Sequence, residues 1–205
     1  MIKSFLIFSI YLLLSSCSTS TKKIDSNLTI DDFSMTQFEI NGDKSYSISS
    51  PKSLFIKNIQ IYKLDKTEIL FYENNKVSYI IKSLESSLLN NKDIELIGNV
   101  RLYDLNNKAN TINANKAFWN IDKYEFTLIG DVILKNNSIN VESSKATLNK
   151  KENIIKFFKP VKYRYLNNSS TLNYKVKAEN AYYDLNKKTL FFESKNERVK
   201  SKINF

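Results

Sequence analysis

Leu96-Ile97-Gly98-Asn99-Val100-Arg101-Leu102 returns as Leu128-Ile129-Gly130-Asp131-Val132-Ile133-Leu134. Two of the chain's 3 glycines occupy the same place in this heptad. In each copy one alternating set is apolar apart from the glycine: Leu96, Val100, Leu102 and then Leu128, Val132, Leu134. A period of two with one apolar face is a half-buried β-strand. Its return after roughly thirty residues implies stacked copies of one unit.

Working outward, a second element precedes each heptad. Ala114-Asn115-Lys116-Ala117-Phe118-Trp119-Asn120 is echoed by Ser143-Ser144-Lys145-Ala146-Thr147-Leu148-Asn149 and by Ala178-Glu179-Asn180-Ala181-Tyr182-Tyr183-Asp184. Weaker versions are Ser50 with Ser53 and Ser83 with Ser86. Small residues three apart break strict alternation, which predicts a bulge or bend where layers approach closely. In a third copy Lys159-Pro160-Val161 stands in place of Gly-x-Val, while Phe157, Val161, Tyr163 and Tyr165 keep the apolar face. Proline there predicts an edge or a bend.

Asn-Asn pairs at 74–75, 90–91, 106–107, 136–137 and 167–168, with Asp122-Lys123, Glu152-Asn153 and Asn186-Lys187 between them, recur close to every sixteen residues. Asparagine tolerates left-handed turns and bonds its own backbone, so these points read as turns. Asn41-Gly42, flanked by Phe38, Ile40, Tyr46 and Ile48, is the strongest hairpin signal. No helix of convincing length is predicted; the best candidate, Lys82 to Leu89, is short and serine-rich.

The chain of 205 residues suits one medium domain. Its net charge of +10 favours anionic partners. The charge is mostly lysine, and no helix-turn-helix, zinc-ligand set or P-loop accompanies it, so nucleic acid is not an expected partner. With no histidine and 1 cysteine, histidine triads, thiol pairs and the usual zinc sites are excluded by inventory, and no metal or cofactor is expected. Asp104, Asp122, Asp131 and Asp184 could in principle serve a carboxylate-based glycan hydrolase. They fall at expected turns or outer faces, where solvated surface carboxylates are the better reading, so catalysis is not expected.

Lys3 and the apolar run Phe5 to Leu14 have the architecture of a secretory signal, the run being too short for a span of about 20 residues. Leu14-Ser15-Ser16-Cys17 resembles the lipobox of bacterial lipoproteins, which makes Cys17 the expected site of diacylation. A free buried cysteine is the plainer reading of Cys17 taken alone. The expected domains are a signal peptide over 1–16, a lipidated cysteine and polar tether over 17–34, and a β domain over 35–205.

The repeat units resemble those of the OstA-like superfamily, and the whole arrangement resembles its LptC family of lipopolysaccharide-export components. The resemblance rests on the opening Phe38-Glu39-Ile40-Asn41-Gly42-Asp43-Lys44-Ser45-Tyr46-Ser47-Ile48-Ser49-Ser50-Pro51, on the two Leu-x-Gly-x-Val-x-Leu strands, and on the small-x-x-small units. It implies an all-β, twisted, open β-jellyroll folded over an apolar groove for lipopolysaccharide acyl chains. The lining it implies is Leu96, Val100, Leu102, Phe126, Leu128, Val132, Leu134, Ile155, Phe157, Val161 and Tyr163. From the residues alone, the same positions equally pack a closed sandwich core.

The resemblance further implies a periplasmic location and, as partners, lipopolysaccharide, the permease subunits of an ABC transporter, and an LptA-like jellyroll. The LptA-like partner would pair with an edge strand near the basic tail from Glu197 to Phe205. An ordinary frayed terminus is the plainer reading of that tail. Familiar family members carry an uncleaved transmembrane anchor, whereas this chain is expected to be lipid-anchored at Cys17. The inner membrane is the expected site of anchoring, with the outer membrane as the alternative because Ser18 follows the cysteine. A structural envelope lipoprotein or an outer-membrane β-barrel is the competing function, the barrel prompted by the turn spacing and the terminal Phe205.

Overall fold

The computed structural model describes residues 27–89, 93–105, 110–158, 161–165, 173–195 and 198–204. Their regular structure is entirely β. The sixteen strands are β1 (Asn27–Phe38), β2 (Lys44–Ile56), β3 (Ile61–Asp65), β4 (Glu68–Glu73), β5 (Lys76–Lys82), β6 (Glu85–Leu89), β7 (Asp93–Asp104), β8 (Thr111–Asn120), β9 (Glu125–Lys135), β10 (Ile139–Asn149), β11 (Ile154–Phe158), β12 (Val161–Tyr165), β13 (Asn173–Ala178), β14 (Asn180–Asp184), β15 (Thr189–Glu193) and β16 (Lys200–Asn204). Every pairing is antiparallel, and the stretch weighed as a helix, Lys82 to Leu89, is the end of β5 and all of β6.

The registers divide this continuous sheet into two halves. The far half of β2 pairs with β3, β3 with β6, β6 with the near half of β7, and the series runs on through the far half of β8, the near half of β9 and the far half of β10 to β11, β14 and β15. The near half of β2 pairs instead with β4, then β5, the far half of β7, the near half of β8, the far half of β9, the near half of β10, β12, β13 and β16. Long strands therefore begin in one half-sheet and end in the other. The line on which they cross is a crease, and the turns form two rows of lips facing away from it. This is a jellyroll, with both half-sheets turning their apolar faces inward.

The repeated motifs sit on the crease. Gly98 and Asn99 have φ of +74° and +50°, and Gly130 and Asp131 have +76° and +46°. Each pair contributes the extra residue of a β-bulge: Ile97 to Val100 on β7 opposes Lys116 to Ala114 on β8, and Ile129 to Val132 on β9 opposes Lys145 to Ser143 on β10. A bulge bends and twists its strand, which is what crossing between half-sheets requires. The extra residue thus belongs to the glycine strands, while the facing small-x-x-small strands supply the break in alternation. On β8 the inward residues are Ile112, Ala114, Ala117 and Trp119, with Asn115 and Lys116 both facing out.

Inside a crease there is no room for a large side chain, and Ser50, Ser53, Ser83, Ser86, Ala114, Ala117, Ser143 and Ala146 are all buried there. Hydroxyls also replace ladder bonds that the bend removes. Ser50 Oγ lies 2.6 Å from the carbonyls of both Lys52 and Asp65 and accepts the Asp65 N–H at 3.1 Å. Ser143 repeats the arrangement with Lys145 and Phe158. Thr67 and Ser86 share a hydroxyl bond of 2.5 Å. Residues 159 and 160, where proline replaces the glycine motif, lie outside the described residues, and β11 and β12 on either side of them belong to different half-sheets.

The β1–β2 hairpin turns at Asn41-Gly42 as expected. Gly42 N–H donates to Glu39 C=O at 3.0 Å, Gly42 has φ +87°, and the Asn41 carboxamide accepts Asp43 N–H at 3.0 Å. A type I turn followed by a left-handed residue is the three-residue hairpin loop. Tyr46 and Ile48 enter the core, whereas Phe38 and Ile40 are exposed. β1 pairs with β2 back to Asn27, so residues 27–34, assigned by sequence to the tether, are strand. Its faces are nearly all exposed or half-exposed, and it therefore carries no period-two apolar signal.

Candidate functional site

Of the eleven expected lining residues, Leu96, Phe126, Leu128, Ile155 and Phe157 lie in the half-sheet ending at β15, and Val100, Leu102, Val132, Leu134, Val161 and Tyr163 lie in the half-sheet ending at β16. All belong to or pack against one core, and all but the half-buried Tyr163 are no more than 4% exposed. The alternation seen in sequence thus places them on one continuous inner surface. That surface is closed by contact with its opposite half.

Sequence reasoning missed how much of the surface comes from other strands. Ile48, Ile69, Phe71, Ile81, Leu88, Ile94, Ile112, Trp119, Val141, Leu148 and Tyr183 extend it. Trp119, the 1 tryptophan, was visible as the second inward residue after Ala117, but the motif around it read as a bend rather than a lining.

The mouth between the lips is aromatic. Trp119 and Phe126 stack at 5.3 Å, and across the gap Phe71 meets their rings edge-on at 4.8 and 5.7 Å. Tyr46 meets Trp119 edge-on at 4.8 Å. At the far end Tyr163 contacts Phe192 at 5.3 Å across the same divide. Among the described residues no backbone hydrogen bond spans the mouth; those outside the strand ladders run along the crease or close turns on one side. A cavity of about 400 Å³ opens here, lined by Gln37, Phe38, Glu39, Ser45, Tyr46 and Phe71 from one lip and by Trp119, Ile121, Asp122, Tyr124 and Lys150 from the other. A larger cavity of about 690 Å³, among β1, β2, β3, β6 and β7, is lined by Lys52, Lys63, Asp65, Glu85 and Glu95 and contains none of the eleven.

Lys150 bridges the lips. Its Nζ lies 4.3 Å from the Phe71 ring centre and 5.6 Å from that of Tyr79. Burial pushes its proton affinity down, against the opposing pull of Glu73 and Glu39. Burial, reinforced by the charge of Asp104 and then Glu73, pushes the Tyr79 hydroxyl up to about 12. Tyr46, Tyr163 and Tyr183 are raised as well, burial being the first cause in each.

One carboxylate departs from the sequence reading. Asp104 is buried at the end of β7 rather than solvated, 3.4 Å from the Asn110 carboxamide, which in turn accepts from Asn136 at 3.2 Å. It faces inward because β7 keeps its alternation through the bulge to its last residue. Asp131 lies exposed on the bulge, bonded by Asn115 at 3.0 Å. Among the described residues no cluster of His, Cys, Asp or Glu could hold a metal ion, and no helix is long and apolar enough to cross a membrane. Cys17 lies outside the described residues.

Residues 4–127, more than half of the chain, match the family described as Lipopolysaccharide-assembly, LptC-related. The chain belongs to the LptC-related family. The match spans the β1–β2 hairpin, the first glycine heptad and Trp119, and it stops before the second heptad, which the fold shows to be the same bulged strand again. No curated protein matches the chain. LptC-related proteins are non-enzymatic components of lipopolysaccharide transport, working in the cell envelope in association with the transporter and LptA-like proteins. An aromatic-mouthed apolar interior agrees with that class.

Proposed function

We propose that this LptC-related chain carries lipopolysaccharide through the periplasm by taking its acyl chains between the two half-sheets. The observation that supports the reading most is the mouth: apolar faces meet there through side chains, while the backbone ladder is continuous around the crease. Parting the lips breaks ring contacts and leaves the ladder intact. Each acyl methylene that enters contributes about 0.8 kcal/mol, so a chain of ordinary length offsets the separated rings. Leu96, Val100, Leu102, Phe126, Leu128, Val132, Leu134, Ile155, Phe157, Val161 and Tyr163 line the opened path.

In the same reading Cys17 is diacylated after removal of residues 1–16, and the polar residues that follow tether the jellyroll near the inner membrane. Lipopolysaccharide arrives from the permease pair of an ABC transporter. It leaves to an LptA-like jellyroll by strand addition at β16, whose described partner is β13 alone. The near-complete burial of the lining favours a second reading, a closed core in a structural envelope lipoprotein.

Affinity purification of the full chain from membranes separates the two readings. Co-elution of lipopolysaccharide with a permease pair is expected, and a Cys17→Ser chain should lose the membrane association. Recovery of peptidoglycan or barrel-assembly proteins in their place contradicts the transport reading.

A further inference from the structure

We propose that Lys150 is a displaceable cap over the mouth, and that its ammonium transfers from the aromatic rings to the anionic headgroup of an entering amphiphile. This rests on the lipid-cleft reading and adds the headgroup chemistry that the cleft selects. Lys150 follows β10 on one lip, and its backbone N–H is fixed by the Tyr124 carbonyl at 3.0 Å. Its side chain reaches the opposite lip, where Nζ sits over Phe71 and Tyr79. The residue borders both the 400 Å³ cavity and a small apolar pocket of about 10 Å³ beside Ile81, Leu102 and Leu148. An acyl chain entering between Phe71 and the opposite lip would have to move this side chain.

The exchange is favourable for an anion and unfavourable for a neutral ligand. A cation over a ring is worth about 0.5–2 kcal/mol, whereas a charge-assisted bond to a phosphate or carboxylate in a partly desolvated site is roughly twice as strong as a neutral one. Glu39 also lines the cavity and, with Glu73, attracts the Lys150 ammonium, so an entering anion competes with these carboxylates for it.

Trp119 is the chain's single tryptophan and reports directly on the cavity. Its fluorescence is titrated with dodecyl phosphate and with uncharged dodecyl maltoside, both below their micellar concentrations. The native chain should respond to the phosphate at an about tenfold lower concentration, the size expected of one charge-assisted hydrogen bond. Lys150→Met should abolish that preference while still responding to the maltoside, and Lys150→Arg should keep it. Retained phosphate preference in Lys150→Met, with both amphiphiles still perturbing Trp119, overturns the cap. If neither amphiphile perturbs Trp119 in the native chain, the lipid cleft itself fails and the cap fails with it.

Discussion

Gly130 is held in the left-handed region with its missing Cβ facing Asn115, whose amide nitrogen would lie 2.9 Å from an added methyl. Gly42 has a similar φ but nothing within 4 Å. Both substitutions to alanine cost the left-handed penalty of about 1–2 kcal/mol, and Gly130→Ala must in addition displace Asn115. In urea unfolding Gly130→Ala should therefore lose more stability than Gly42→Ala, and equal losses would contradict the packing of Asn115 on the bulge. Tyr79 gives a residue-scale prediction in pH. Its hydroxyl binds its proton more tightly folded than unfolded, so its stabilisation is complete below pH 10 and disappears as pH rises through about 12. Lys150 acts in the opposite sense, its burial penalty being relieved as pH rises through its lowered value toward 10.5, which offsets part of the loss. Thermal stability should fall between pH 10 and 12, and Tyr79→Phe should flatten the fall; an unchanged slope in that variant would remove the hydroxyl from the account.

At the scale of elements, the crease is written as small residues. Ala117 and Ala146 are fully buried against it, and Ala117→Leu should destabilise by about 1–3 kcal/mol through overpacking. The same substitution at the outward neighbour Asn115 should act through its bond to Asp131 and its packing on Gly130, and cost less. Strand identity and inward alternation were legible because β7 and β9 are buried on one face only, leaving Leu96 and Leu128 in a clean period of two. The bend was legible in the Ala-x-x-Ala units, but not which strand carried the extra residue, since glycine alone does not announce a pair of left-handed residues. Strand β1 was hidden for the opposite reason: it buries almost nothing, and its place is set by hydrogen bonding along β2, which no side-chain pattern records. Asp104 was misplaced because its polarity suggested the surface while its position in the alternation put it inside.

The described residues form one ladder folded along a line, with a continuous backbone network on the crease side and side-chain contacts on the mouth side. In the proposed reading this body opens by parting the lips, where side-chain contacts alone join the halves. Whether the inner faces of β7, β9 and β11 exist to meet lipid or only one another is decided at their centres. A photo-crosslinking residue placed at Val132 or Leu134, both fully buried, and at the outward-facing Lys135 of the same strand reads this directly in cells making lipopolysaccharide. The account predicts lipopolysaccharide adducts at Val132 and Leu134 and none at Lys135. Equal capture at all three positions, or capture at Lys135 alone, would contradict a lipid path between the half-sheets.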